Sequence, residues 1–153
     1  MFGDVSYWAF FGTLTLLRLT YEDFKHNMEI DDRKNHFMLG ISMSLITHIA
    51  INIWYLLGLI VIVATYVYLS KKYIKSIGEG DLNTLGWIIY GLGIISVYKM
   101  FWFMAFFSII AGAYLLIKYL FCKYSKKDNN QPTPFYIVIL ISFIFNCWLF
   151  GLY

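Results

Sequence analysis

From Phe37 to Ser70 the chain runs 34 residues without an Asp, Glu, Lys or Arg. As one straight helix this stretch would be about 51 Å long, against a bilayer hydrocarbon core of about 30 Å. It is too long for one crossing and too apolar to lie in water, so it must turn. Thr47, His48 and Asn52 form the polar cluster where the turn is expected. Leu82 to Ile117 poses the same problem with Lys99 as its lone charge, and Tyr98-Lys99 is the expected turn there. Shorter apolar runs, Val5 to Thr20 and Pro134 to Tyr153, lie at either end. Six helices result. The expected fold is an all-α integral membrane protein, one polytopic unit over residues 1–153.

Composition excludes the soluble alternative. Charged residues make up 14% and hydrophobic residues 60%, where a soluble domain carries about 25% charged. The mean hydropathy is +0.65. Lipid is therefore the expected solvent, and no nucleic-acid partner is implied. The first run lacks a basic stretch before it and a small-residue cleavage site after it, so it reads as a retained span. Cys122 falls at a membrane edge and Cys147 inside the last run. Without a C-x-x-C pair or a His/Cys cluster at ligand spacing, no disulfide, metal or cofactor is expected.

The basic residues orient the spans. With six helices, Arg18, Lys25, Arg33, Lys34, Lys71, Lys72, Lys75, Lys118, Lys123, Lys126 and Lys127 all fall in odd-numbered loops, and Lys99 alone falls elsewhere. By the positive-inside rule those loops are cytoplasmic and both termini lie outside. The acids follow the same division. Glu22, Asp23, Glu29, Asp31 and Asp32 crowd the first loop, and Glu79 and Asp81 the third. Asp23 follows the end of the first span, and Asp81 opens the fourth.

Two carboxylates from different helices can therefore meet at the inner rim of a bundle. Close carboxylates share a proton and their apparent pKa values split. Such a pair can deprotonate a water for attack on a peptide carbonyl and protonate the leaving amine. Gly78 and Gly80 lack a Cβ, which permits unusual dihedrals and close approach of an extended peptide. Plainer readings stand beside these. Asp81 alone suits a helix N-cap, and Asp23 alone suits a solvated loop. His26 and His36 read as solvated or interfacial, and His48 lies near the outer turn. Asn146, within the last span, reads as an interhelical hydrogen-bonding group, and Gly91, Gly93 and Gly112 read as points of close helix contact.

The segment YEDFKHNMEIDDRKNHFMLGI (21–41) resembles the first active-site region of type IV prepilin peptidases, most closely the archaeal preflagellin peptidases. Asp23, Phe24, Lys25 and Ile30 fill its aspartate, hydrophobic, basic and isoleucine places. GEGDLNTLGW (78–87) resembles the second region, the G-x-G-D motif of these membrane aspartyl proteases. QPTPFYIV (131–138) is similar to the proline-rich entry into the family's last helix. Ile30 sits one residue further from Asp23 than is usual, and Asp31 stands where many relatives have proline. The paired cysteines of the bacterial methyltransferase region do not occur, so N-methylation is not implied.

The resemblance implies catalytic Asp23 and Asp81, with Gly78, Glu79 and Gly80 along the peptide-binding edge. It implies an endopeptidase in a prokaryotic, archaeal cell membrane. The substrate would be a pilin-like or archaellin precursor, cut on the cytoplasmic side between its basic leader and its hydrophobic helix. Glu22, Glu29, Asp31, Asp32 and Glu79 could attract such a leader, or simply balance the neighbouring basic residues. Two rivals remain: a presenilin or signal-peptide-peptidase type of protease, whose aspartates lie deep within spans, and a non-catalytic membrane subunit or cation transporter.

Overall fold

The structure, a computed structural model, describes residues 2–25, 37–38, 40–41, 52–74, 77–125 and 135–152. Among these residues it has five helices and no strand: α1 (Phe2–Lys25), α2 (Ile53–Tyr73), α3 (Glu79–Ile95), α4 (Val97–Ser125) and α5 (Tyr136–Leu149). Phe37, Met38, Gly40 and Ile41 are helical as well. The expected turn at Thr47-His48 lies outside the described residues, but its far end is visible. Asn52 is the N-cap of α2, its side-chain oxygen accepting the Trp54 N–H at 3.0 Å. Asn is among the best residues for this task because its short side chain reaches an otherwise unpaired helix donor.

Other boundaries differ from expectation. The break between α3 and α4 is at Ser96, which is extended (φ −170°, ψ 124°). Lys99, expected in the turn, is instead in the first turn of α4. One extended residue suffices because the chain re-enters a helix at once, Met100 N–H bonding to the Ser96 carbonyl at 3.1 Å. The first helix continues past Thr20 to Lys25, so Asp23 is helical. The last helix stops at Leu149. A turn then carries Gly151 at φ +57°, a left-handed conformation that glycine adopts freely.

Helices α2 and α4 are long and apolar enough to cross a membrane. At 21 residues α2 spans about 31 Å, close to the hydrocarbon thickness. The core helix of a soluble protein would be covered, yet α2 buries only Leu59 and Ser70 and exposes Ile53, Trp54, Val61 and Tyr68. An apolar helix that shows its greasy side chains outward is suited to lipid. The apolar helix α5 is shorter, 14 residues.

At the centre lies α3, with 12 of its 17 residues buried. It packs on α2, α4 and α5, and α5 packs on α1 and α4. On α4 the buried apolar residues Met100, Phe103, Phe107 and Ala111 recur every three or four positions and form one stripe. The buried stripe of α1 runs through Trp8, Gly12, Leu16, Leu19 and Thr20. Trp8, Trp87 and Phe143 lock α1, α3 and α5 together, each ring edge-on to the other two at 5.5–6.2 Å between centroids. Such contacts add about 0.5–1.5 kcal/mol each beyond burial.

Two of the three expected close-contact glycines act as such. A Cβ on Gly91 would collide with the Trp8 indole, and one on Gly93 with Leu59. Gly112 instead faces open space, so helix contact does not explain it. Gly12, which carries no signal of its own in the sequence, would meet Phe143 at 3.0 Å if given a Cβ. Asn146 makes the interhelical bond expected of it, donating through Nδ2 to the Lys99 carbonyl at 3.2 Å.

Candidate active site

Trp8 meets α3 at Gly91 and Gly12 meets it at Trp87, so α1 and α3 run antiparallel. The C-terminal end of α1 and the N-terminal end of α3 therefore share one end of the bundle. Asp23 belongs to the former and Asp81 to the latter. Asp23 continues the buried stripe of α1, seven residues beyond Leu16 and three beyond Thr20, and this periodicity turns it inward. It is 6% exposed, which overturns the reading of a solvated loop acid.

Asp81 is 7% exposed. It is not the N-cap of its helix, as the plainer reading had it. Gly78 holds that position and Asp81 is the third residue inside, where its side chain reaches back to the cap. Oδ2 of Asp81 accepts the Gly78 N–H at 3.1 Å. Gly78 itself has φ −76°, ψ 161°, ordinary extended backbone, so it needs no unusual dihedral. Its missing Cβ matters for another reason: that atom would stand 3.2 Å from Asp81 Oδ2.

The other oxygens are exceptional. Asp81 Oδ1 and Asp23 Oδ2 are both buried with no hydrogen-bond partner among the described residues. Leaving a buried polar group unpaired costs about 1–3 kcal/mol, and more for a charge. Burial pushes the Asp81 carboxyl up to about 7; the Gly78 N–H opposes this rise, and the negative field of Asp23 adds to it. Burial likewise raises Asp23 above the usual carboxylate range. Both aspartates lie just beyond the apolar runs. With its carboxyl near 7, Asp81 can hold or release a proton around neutral pH.

The surroundings were not legible as a site. Thr20 and Thr84 are buried one turn deeper than Asp23 and Asp81 respectively, and their hydroxyls donate to the carbonyls of Leu16 at 2.7 Å and Gly80 at 3.0 Å. With those protons committed, the hydroxyl oxygens offer lone pairs to anything beside them. Tyr114 on α4 lies within Coulombic reach of Asp23, its ring edge-on to buried Phe135 at 6.1 Å. The spacing of three between Asp23 and Thr20, and between Asp81 and Thr84, was the available signal.

Of the remaining candidates, Glu79 is exposed and pairs with Lys71 at 3.5 Å. Gly80 is half-buried within the first turn of α3. Glu22 pairs with Arg18 at 3.1 Å. Both described rim acids thus already have basic neighbours, in line with the charge-balancing alternative for these two. Glu29, Ile30, Asp31, Asp32, Arg33 and Lys34, the three histidines, Lys75, Lys126, Lys127 and the QPTP segment lie outside the described residues. No disulfide involves Cys122 or Cys147, and no group of three or more His, Cys, Asp or Glu side chains comes together among the described residues. Compared with known proteins, the chain matches no family model, no curated protein and no solved structure.

Proposed function

We propose that this chain is a membrane aspartyl endopeptidase with Asp23 and Asp81 as its catalytic pair. The single observation that carries the reading is a pair of buried carboxyls from two helices at one end of the bundle. Each leaves an oxygen unpartnered among the described residues, and the charge of Asp23 is felt at Asp81. The ionised carboxylate takes a proton from a water as the water's oxygen bonds to a peptide carbonyl carbon. The protonated carboxyl then gives its proton to the amine as the C–N bond breaks. One water is consumed, and the pair ends with the same single proton it began with.

In this reading the bundle crosses the membrane six times with both termini outside, in a prokaryotic, archaeal cell membrane. The sidedness follows from the Lys and Arg distribution. The aspartate end then faces the cytoplasm, where the substrate is a pilin-like or archaellin precursor with a basic leader ahead of a hydrophobic helix. Gly78, Glu79 and Gly80 border the edge along which the leader lies extended. Exposed apolar α2 and the shallow position of both aspartates favour this over proteases that cut deep within the bilayer.

The test is trimming of a cognate precursor by membranes carrying Asp23→Asn or Asp81→Asn protein. Loss of general acid–base action lowers cleavage by roughly 10²–10⁴-fold while the protein accumulates normally. Cleavage that survives either change overturns the assignment.

A further inference from the structure

At the end of the bundle away from the aspartates, a cavity of about 210 Å³ opens between the start of α1, the junction of α3 with α4 and the C-terminal turn. Its walls are mostly apolar (Ile95, Phe150, Leu152), and Ser6 and Lys99 supply its polar groups. Three features point to what it takes. Lys99 is the one charged residue between Leu82 and Ile117, half-buried, and no ion pair with a described residue engages it. Its ammonium lies 5.9 Å from the centroid of the Phe150 ring, a contact that attracts a cation weakly and supplies no counter-charge. A Cβ on Gly151 would meet nothing within 4 Å, so this wall stands back from its surroundings.

The third feature is depth. Ser6 and Asp23 are 17 residues apart on one helix, about 26 Å along its axis and close to a hydrocarbon core of about 30 Å. If the aspartates lie at one membrane interface, the cavity lies at headgroup level of the other. An ammonium with no ion pair among the described residues, over apolar walls, is complementary to an amphiphile with an anionic phosphate at its head.

We propose that this cavity binds the phosphodiester headgroup of a membrane phospholipid in the leaflet opposite Asp23 and Asp81. Lys99 is the counter-charge, Ser6 a hydrogen-bond donor, and the apolar walls cover the first carbons of the lipid. The site does not depend on the proposed peptidase activity.

The test is native mass spectrometry of the purified full chain after exchange into mixed micelles with dioleoyl-phosphatidylglycerol or with dioleoylglycerol, which lacks the phosphate. The wild type retains one phosphatidylglycerol and no dioleoylglycerol. Lys99→Gln retains at least tenfold less, whereas Lys99→Arg and the aspartate-end double variant Lys71→Gln/Lys72→Gln retain it fully. Asp4→Asn, which removes the acid next to Val5 of the cavity wall, also retains it. Ser6→Leu, which fills the cavity from α1 and leaves the charge in place, loses it. Equal retention by Lys99→Gln, or retention of dioleoylglycerol, overturns the proposal. So does displacement of the lipid by inorganic phosphate alone, which would mark a free-phosphate site.

Discussion

Asp81 Oδ2 accepts the backbone N–H of Gly78 at 3.1 Å, while Oδ1 of the same carboxyl is buried without a partner among the described residues. One oxygen is held by the start of its own helix, and the other is not. The backbone bond favours the anion. Burial, with the field of Asp23 added, outweighs it.

A pH dependence of stability follows. The Asp81 carboxyl rises from 3.8 to about 7 on folding, so between those values the folded state binds more protons than the unfolded state. Stability is then fully present below about 4 and falls as pH rises through 7. The amount is at most about 4 kcal/mol. Thermal unfolding in detergent should give a lower Tm at pH 9 than at pH 5, with Asp81→Asn removing most of that slope. A wild-type Tm that climbs over this range, or an unchanged slope in the variant, contradicts the burial of a protonated Asp81.

Gly78→Ala separates site geometry from folding. The backbone at 78 accepts alanine, but the new Cβ stands 3.2 Å from Asp81 Oδ2 and displaces the carboxyl by a few tenths of an ångström. On the proposed peptidase reading, cleavage of a precursor should fall roughly tenfold, since catalysis is sensitive to small misplacements, with Tm nearly unchanged. Wild-type cleavage by this variant would show that the carboxyl tolerates displacement.

Gly91→Ala and Gly112→Ala should act in opposite directions. The first drives a methyl into the Trp8 indole, and forcing α1 off α3 costs about 1–3 kcal/mol. The second adds a methyl in open space on a helix, where alanine is better than glycine by about 0.5–1 kcal/mol. Thermal unfolding of the two variants side by side distinguishes them. Equal Tm shifts would mean that α1 does not press on α3 at Gly91.

Asn146→Leu tests the one buried amide whose oxygen has no partner among the described residues. The residue is fully buried, gives one bond to the Lys99 carbonyl and leaves Oδ1 unpaired. Replacing it with an apolar side chain loses a bond worth about 0.5–1.5 kcal/mol and removes an orphan acceptor costing about 1–3 kcal/mol. Tm should hold or rise slightly. A pronounced fall would show that Oδ1 is satisfied in the membrane.

Much of the fold was legible along the chain, because crossing length and charge exclusion are one-dimensional properties. The uncharged runs gave the apolar helices, and Asn52 marked the start of α2 because capping is a local act of a side chain on its own backbone. The break at Ser96 was misplaced at Tyr98-Lys99, since a lysine can sit as comfortably in the first turn of a helix as in a loop. Gly12 and Gly112 show the same limit: a glycine is a contact point only if another helix arrives opposite it.

The linear order of residues was enough to establish that the chain is helical and apolar and carries two acids, each beside the end of an apolar run. It could not say whether those acids are wet or dry. Asp23 is dry because α1 continues another turn and brings position 23 onto the face that packs inward. Asp81 is dry because α3 is the helix around which the others gather. Proximity of groups 58 positions apart, and the proton affinity that proximity and burial create, depend on which surfaces of separate helices meet. Only the assembled bundle decides that.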